Sequence, residues 1–311
     1  MRDEPVLAKA PEAGRPTLTT IAIPTYNRLG LLERALASAM AQDYADLEIV
    51  ISDNASTDGT EQFCRSVCEK DARVRYYRLP ENVGHARNFA AAFRHVRGPF
   101  FLWLADDDWI DSNFVSRCVE KLQSHPDTVL VCGVCIYYRE GNPSELNEPV
   151  VNLLSESPTR RVLDHYRSVK RNATLLGVTR SACIEADAFP TVFGGDWLLL
   201  ARLAFQGKVN TLGDVALHRS LGGESGDMRG LAMGFGLSPA IARVPNVAIT
   251  WYAVRDVLRA DSYRRIGTVR RVALAGEVGG ALAARFGVPY LVRRIPGAAA
   301  PLRRVRDRFR R

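Results

Sequence analysis

Phe100-Phe101-Leu102-Trp103-Leu104-Ala105-Asp106-Asp107-Asp108 is the stretch on which the fold of this 311-residue chain turns. Six consecutive apolar residues have the pattern of a strand buried on both faces, as in a parallel sheet covered by helices. Three adjacent carboxylates at the end of such a strand repel one another and raise one another's pKa unless something cationic meets them. A divalent ion that prefers oxygen, Mg²⁺ or Mn²⁺, shared with a phosphate is the natural partner. A polar loop that merely begins with acids is the plainer alternative.

Upstream, strand and helix patterns alternate. Thr19 to Ile23 predicts a strand ending at Pro24, and Leu32, Ala35, Leu36, Ala39 and Met40 mark a helix from Leu29 to Met40. Leu47 to Ile51 predicts a second strand, ending at Ser52-Asp53-Asn54. Thr57-Asp58-Gly59-Thr60 has the chemistry of a turn that caps a helix running through Glu69. Val74 to Leu79 reads as a third strand, Gly84 to Arg97 as a helix, and Phe100 to Ala105 as a fourth strand that delivers the aspartates. This alternation is the mark of an α/β sheet with right-handed crossovers, whose ligands bind at the carboxyl ends of the strands. Pro24 to Arg28, Asp53-Asn54 and Asp106 to Asp108 all fall at such ends, which predicts one shared site. Neither G-x-x-x-x-G-K-[ST] nor G-x-G-x-x-G follows the first strand, so a phosphate here needs a metal and side chains.

Taken together, Thr20 to Arg28, Glu48 to Thr60, Asn82-Val83-Gly84 and Leu104 to Trp109 resemble family 2 glycosyltransferases over about residues 17–220. The resemblance implies the GT-A fold, a Rossmann-like α/β mixed sheet flanked by helices. It also implies an inverting enzyme that uses a nucleotide-sugar donor (UDP-, GDP- or dTDP-sugar) and a glycan or lipid-linked acceptor. By position it places Pro24, Thr25 and Asn27 in the nucleotide pocket, Tyr26 beside the base, and Asp53 as acceptor of a hydrogen bond from the base. Asn82 and Arg87 fall in the segment that closes over the nucleotide. The aspartates correspond to the family's DXD motif in the register Asp106-x-Asp108, with Asp106 at ribose or metal and Asp108 at metal. If the strand continued, Asp107 would point to the opposite face, binding a water of the ion or only capping a turn.

Gly194-Gly195-Asp196-Trp197 is similar to the family's later acidic motif and makes Asp196 the expected general base. The glutamate that often precedes it is replaced here by Gly195. His218, in Leu217-His218-Arg219-Ser220, matches a late segment near the diphosphate and is the expected third metal ligand, with Arg219 able to meet phosphates through its planar fork. A sugar-phosphate nucleotidylyltransferase or a non-catalytic nucleotide-sugar-binding protein are the competing readings. The first should carry a Gly-rich basic loop after the first strand, and the second should lack Asp196.

Composition is that of a soluble globular protein, 47% hydrophobic and 24% charged. No apolar stretch approaches the ~18 residues of a membrane span, and the start lacks the form of a signal peptide. The expected location is cytoplasmic, peripheral on the inner face of the plasma membrane. Cys64 and Cys68 have helical spacing while Cys132 and Cys135 lie in a strand-like run, which favours buried free thiols over zinc. Residues 1–16 read as a flexible lead-in, 17–225 as the catalytic domain, and 226–311 as a basic, mainly helical extension interrupted at Gly279-Gly280 and Pro289. From Trp251 onward there are 15 arginines and 4 acids, so the chain's net charge of +8 resides in that extension. Such a segment suits an anionic membrane surface. A solvated appendage or homo-oligomer contact is the alternative, and nucleic acid is not expected without a recognisable motif.

Overall fold

The computed structural model describes residues 17–147, 150–185, 189–221 and 243–294. The lead-in, the start of the extension and its last arginine-rich piece lie outside them.

Four parallel strands form the frame: β1 (Thr19–Thr25), β2 (Leu47–Asp53), β3 (Val74–Arg78) and β4 (Phe100–Trp103). Between them run α1 (Leu29–Met40), α2 (Thr60–Lys70) and α3 (His85–Phe93). β5 (Trp109–Ile110), α4 (Phe114–Ser124), β6 (Thr128–Arg139), β7 (Asn142–Asn147), α5 (Pro158–Ser168), β8 (Val178–Arg180), α6 (Gly195–Gln206) and β9 (Lys208–Ser220) follow. The described strands make one mixed sheet in the order β3-β2-β1-β4-β8-β6-β9-β5, with β7 paired to β6. The second half is joined through antiparallel β8, so β6 and β9 again point the way β1 and β4 do. The carboxyl ends of six strands therefore share one edge.

β1, β2 and β4 are buried along their whole length, and this drives the frame. Phe100, Phe101 and Trp103 are all but inaccessible, each contributing roughly 1.5–3 kcal/mol relative to an exposed position. Three elements differ from their expected limits. β1 runs on through Pro24 to Thr25: β4 pairs with it only to Ala22, so Pro24 has a strand neighbour on the β2 side alone and its missing N–H interrupts no β1–β4 pairing. α3 is shorter, ending at Phe93. β4 stops at Trp103, and the aspartates lie on a turn rather than on the strand: Leu104 N still donates to Ala22 O, but Asp108 N folds back to Ala105 O.

The described part of the extension, residues 243–294, packs on the rest of the chain. α7 (Pro245–Arg259) and α8 (Gly267–Arg294) pack on α5 and α6 in a second core, where Val162, Tyr166, Leu198, Ala201 and Phe205 meet Ala253, Val257, Tyr263, Leu274, Val278 and Leu282. Arg202 of α6 donates two hydrogen bonds to Asp256 of α7, at 2.5 and 3.1 Å, inside this contact. The expected break at Gly279-Gly280 and Pro289 is absent: α8 is helical across all three. Packing overrides propensity here, since a Cβ on Gly279 would sit 3.2 Å from Val254 Cγ2 of the helix it lies against. All six cysteines are free thiols. Among the described residues no helix is long and apolar enough to cross a membrane.

Candidate functional site

The loops at the ends of β1 and β2 are stitched together. Asn27, at φ 49°, receives Thr57 N on its Oδ1 (2.7 Å) while its own N–H donates to Ser56 Oγ (2.9 Å). An Asn tolerates this left-handed conformation where most residues do not. Asp53, fully buried, accepts from Tyr76 Oη (2.5 Å) and Ser56 N (2.9 Å). The Asn82 carbonyl accepts from Asn54 Nδ2 and Gly84 N, fixing the turn before α3. Tyr26 presents a partly exposed ring at the mouth, and Arg87 is exposed on the first turn of α3. The residue after it, Asn88, is buried: it accepts from Ser52 Oγ and donates to the Thr25 and Ser52 carbonyls, tying β1 to β2 behind the pocket. Its sequence signal is an amide on the same helix face as Phe89 and Ala92.

The aspartates each have a distinct neighbour. Asp106 accepts from Thr25 Oγ1 (2.8 Å) and Arg28 Nη1 (3.2 Å). Asp108, with no exposed surface, accepts from Arg219 Nε (2.9 Å) and Ser220 N (3.2 Å). Asp107 is half-buried, with Arg28 Nη1 at 3.8 Å from its carboxylate. Its carbonyl takes hydrogen bonds from Arg34 Nη2 (2.7 Å) and Ser220 Oγ (2.7 Å). Arg34 also lies over the Trp109 ring at 3.8 Å. The turn is thus clamped between α1 and the end of β9.

The cross-strand register explains why Arg219 and not His218 meets Asp108. Trp109 pairs with His218 in the antiparallel β5–β9 ladder, so the next residues outward, Asp108 and Arg219, share the opposite face. His218 stacks parallel to Trp109 and sits 2.8 Å from Asp111 Oδ1 through Nε2 and 3.1 Å from Tyr138 Oη through Nδ1. The expected third ligand is therefore not gathered with Asp106 and Asp108.

Burial pushes the Asp106 carboxyl up in spite of Thr25 and Arg28, and pushes Asp108 up to about 6 in spite of Arg219. Burial therefore outweighs the arginines hydrogen-bonded to these two carboxylates. Among the described residues no three His, Cys, Asp or Glu side chains could hold a metal by themselves. Mg²⁺-type ions commonly use only one or two carboxylates, completing their shell with waters and substrate phosphates. Asp106 and Asp108 fit an ion held in that way.

Asp196 lies in the first turn of α6, where the helix dipole favours a carboxylate. Gly194, not Asp196, occupies the N-cap. Burial raises the Asp196 carboxyl; Asn172 Nδ2, donating to Oδ2 at 3.2 Å, opposes that shift, as does the charge of Arg219. Asn172 adopts φ 58° and keeps its Oδ1 buried without a hydrogen-bond partner. A glutamate at position 195 is excluded with this backbone, since a Cβ there would lie 2.0 Å from the Pro190 carbonyl oxygen.

A model of glycosyl transferase family 2 matches residues 20–183, just over half of the chain. The chain belongs to glycosyl transferase family 2. Among curated relatives, a Campylobacter jejuni GalNAc(5)-diNAcBac-PP-undecaprenol beta-1,3-glucosyltransferase is 35% identical over 132 residues, 42% of this chain and 41% of that protein. A Streptomyces hygroscopicus validoxylamine A glucosyltransferase is 33% identical over 154 residues, 47% of this chain and 36% of its own. These alignments thus span less than half of either relative's length. Solved structures with the same GT-A fold include S. aureus TarS 1-349 in complex with UDP-GlcNAc, with TM-score 0.59, 18% identity and coverage of 86% of this chain and 73% of that one. Another is the mannosyltransferase PcManGT from Pyrobaculum calidifontis in complex with GDP-Man and Mn²⁺, with TM-score 0.55, 20% identity and coverage of 98% and 84%. Within this family 2 chain, Asp196 and Arg219 lie beyond the matched residues.

Proposed function

We propose that this family 2 chain transfers a glycosyl group from a nucleoside-diphosphate sugar to an acceptor hydroxyl, with inversion at the anomeric carbon. One observation carries the reading: buried Asp108 on the clamped turn accepts from the Arg219 guanidinium, whereas buried Asp196 on α6 accepts from the neutral Asn172 amide, so the two carboxylates sit in opposite settings. Asp108 is paired with a guanidinium and suits the phosphate end. Asp196 has a neutral amide beside it and is kept as a base by its environment.

Pro24, Thr25, Tyr26, Asn27, Asp53, Asn82 and Arg87 line the nucleotide end in this proposal, with Tyr26 offering its ring to the base. Asp108 and Asp106 would hold a Mg²⁺ or Mn²⁺ ion, and His218 is left out of that set. Such an ion, when bound, offsets the negative charge that grows on the departing diphosphate. Arg28 and Arg219 add fixed positive charge at the same end. As the acceptor oxygen bonds to the anomeric carbon, its proton passes to Asp196 and the bond to the diphosphate breaks with its electron pair on the leaving oxygen. The acceptor class proposed is a glycan or a lipid-linked saccharide; the name of the Campylobacter relative supports the second.

The test is to titrate UDP-, GDP- and dTDP-sugars into the chain with and without Mn²⁺, following binding and slow donor hydrolysis. One donor should bind tightly only with the metal. Absence of binding to any of them, or pyrophosphate release from a nucleoside triphosphate and a sugar phosphate, would sink the proposal.

A further inference from the structure

The second core leaves α7 apolar on two sides. Its inner face, Ile249, Ala253, Asp256 and Val257, is buried against the rest of the chain. On the outer side Val247, Trp251 and Leu258 are 66%, 56% and 41% exposed, and they recur at i, i+4 and i+11, one stripe of the helix. Val244 extends the stripe at the helix start. A surface helix ordinarily turns its polar face to water; this one shows an aromatic and aliphatic ridge instead.

Arginines collar the ridge. Arg255 lies over the Trp251 ring at 5.3 Å, and Arg243 and Arg259 are exposed at the two ends of the helix. Beyond it follow exposed Arg264 and Arg270, with exposed Val269 and Val272 beside them. Residues 243–286 hold eight arginines against three acids, of which Asp256 is paired with Arg202 and Asp261 with Arg264.

We propose that the outer face of α7 docks on an anionic lipid bilayer, Trp251, Val247 and Leu258 entering the headgroup boundary while the arginines meet lipid phosphates. Three physical points select this occupant. Trp is the side chain of the water–bilayer boundary, with an apolar body and a polar N–H. Arginines flanking an apolar stripe match anionic headgroups and can rest their stems on the same surface. A second copy of this chain would bring one arginine collar against another, and nucleic acid has no use for a Val–Trp–Leu ridge. The inference names a partner for the lipid-linked-acceptor reading: α7 is bonded through Asp256–Arg202 to α6, the helix that carries Asp196, so docking would present the base to acceptors at the membrane surface.

The test is flotation of the full chain with phosphatidylcholine vesicles and with vesicles containing phosphatidylglycerol, without nucleotide sugar, so that its outcome is independent of the transfer reading. The chain should float with the anionic vesicles only, and less as salt rises. Val247→Ser with Trp251→Ser should weaken flotation at least ~10-fold, and Arg255→Glu with Arg259→Glu should do the same. The charge-reversed pair lies at exposed positions and guards against a folding defect in the first, with thermal melting and donor binding held at parental values. Absence of flotation overturns the proposal. So does flotation undiminished in both variants, which would place binding in the arginine-rich residues 302–311. A dimer in light scattering that Trp251→Ser dissolves, with no vesicle binding, assigns the face to a second copy and overturns it equally.

Discussion

The proposed donor end and the proposed base end of the site are built from the same side chain in opposite company. At the donor end, Asp106 and Asp108 each accept from a guanidinium, Arg28 and Arg219. At the base end, Asp196 accepts from the Asn172 amide and, among the described residues, from no guanidinium. Burial raises all three carboxyls. In the proposed mechanism the neighbour then decides the role: a paired carboxylate is an electrostatic fixture, and one held by a neutral donor can still take a proton. The supporting structure differs as well. The donor end rests on four parallel strands, whereas the base end rests on a helical core completed by α7 and α8.

The contrast breaks most directly with Asp196→Asn. Transfer should fall by about 10²–10⁴-fold while donor affinity, read by calorimetry, stays at the parental value; near-normal transfer would remove Asp196 from the role. Asp108→Asn should instead weaken Mn²⁺-dependent donor binding and turnover together, by roughly 10²-fold. Neither change should lower the melting temperature as far as Asp256→Ala. That substitution leaves the Arg202 guanidinium with only the more distant Glu185 carboxylate, 3.6 Å away, at a cost of about 3 kcal/mol, measured by urea unfolding.

Beneath the base end sits a quieter marker. His165 of α5 is buried, its Nε2 3.0 Å from the Trp197 carbonyl, the residue after Asp196. Burial lowers its pKa from 6.5 to about 4. The unfolded chain then binds the proton more readily, so stability is fully present above pH ~6.5 and is lost as pH falls from there toward 4, by up to about 3 kcal/mol. His165→Gln should flatten that slope. The smallest effect belongs to Asn172→Gly, which removes the amide but accepts φ 58° without strain. Loss of the Nδ2–H donor destabilises the Asp196 carboxylate, so the acid limb of kcat/KM should move to higher pH. On that limb the rate should drop about tenfold, less than for Asp196→Asn. An unmoved limb would show that the amide does not govern the base.

The frame was open to reading because it is local. β1 to β4 alternate with helices over some eighty residues, their apolar runs are continuous, and their loaded ends fall in order. What stayed hidden depends on distant partners. Nothing near Asp108 in the chain announces Arg219, 111 residues on; only the pairing of Trp109 with His218 places them together, and that same register turns His218 aside. Asn172 is separated from Asp196 by 24 residues and carries no motif. α8 defeated its own glycines because Gly279 faces Val254, a contact that composition cannot express.

The second core also sets a minimum length. Leu274, Ala275, Val278 and Leu282 cover Tyr166, Leu198 and Phe205 from the far end of the chain, although the family-matched residues stop at 183. A fragment trimmed to the parallel-strand half plus α6 would retain Asp106, Asp108 and Asp196 and expose an oily flank under the proposed base. Such trimming should yield a sticky, short-lived product, and exchange of parallel-strand halves between relatives will succeed only when the recipient supplies its own helical backing.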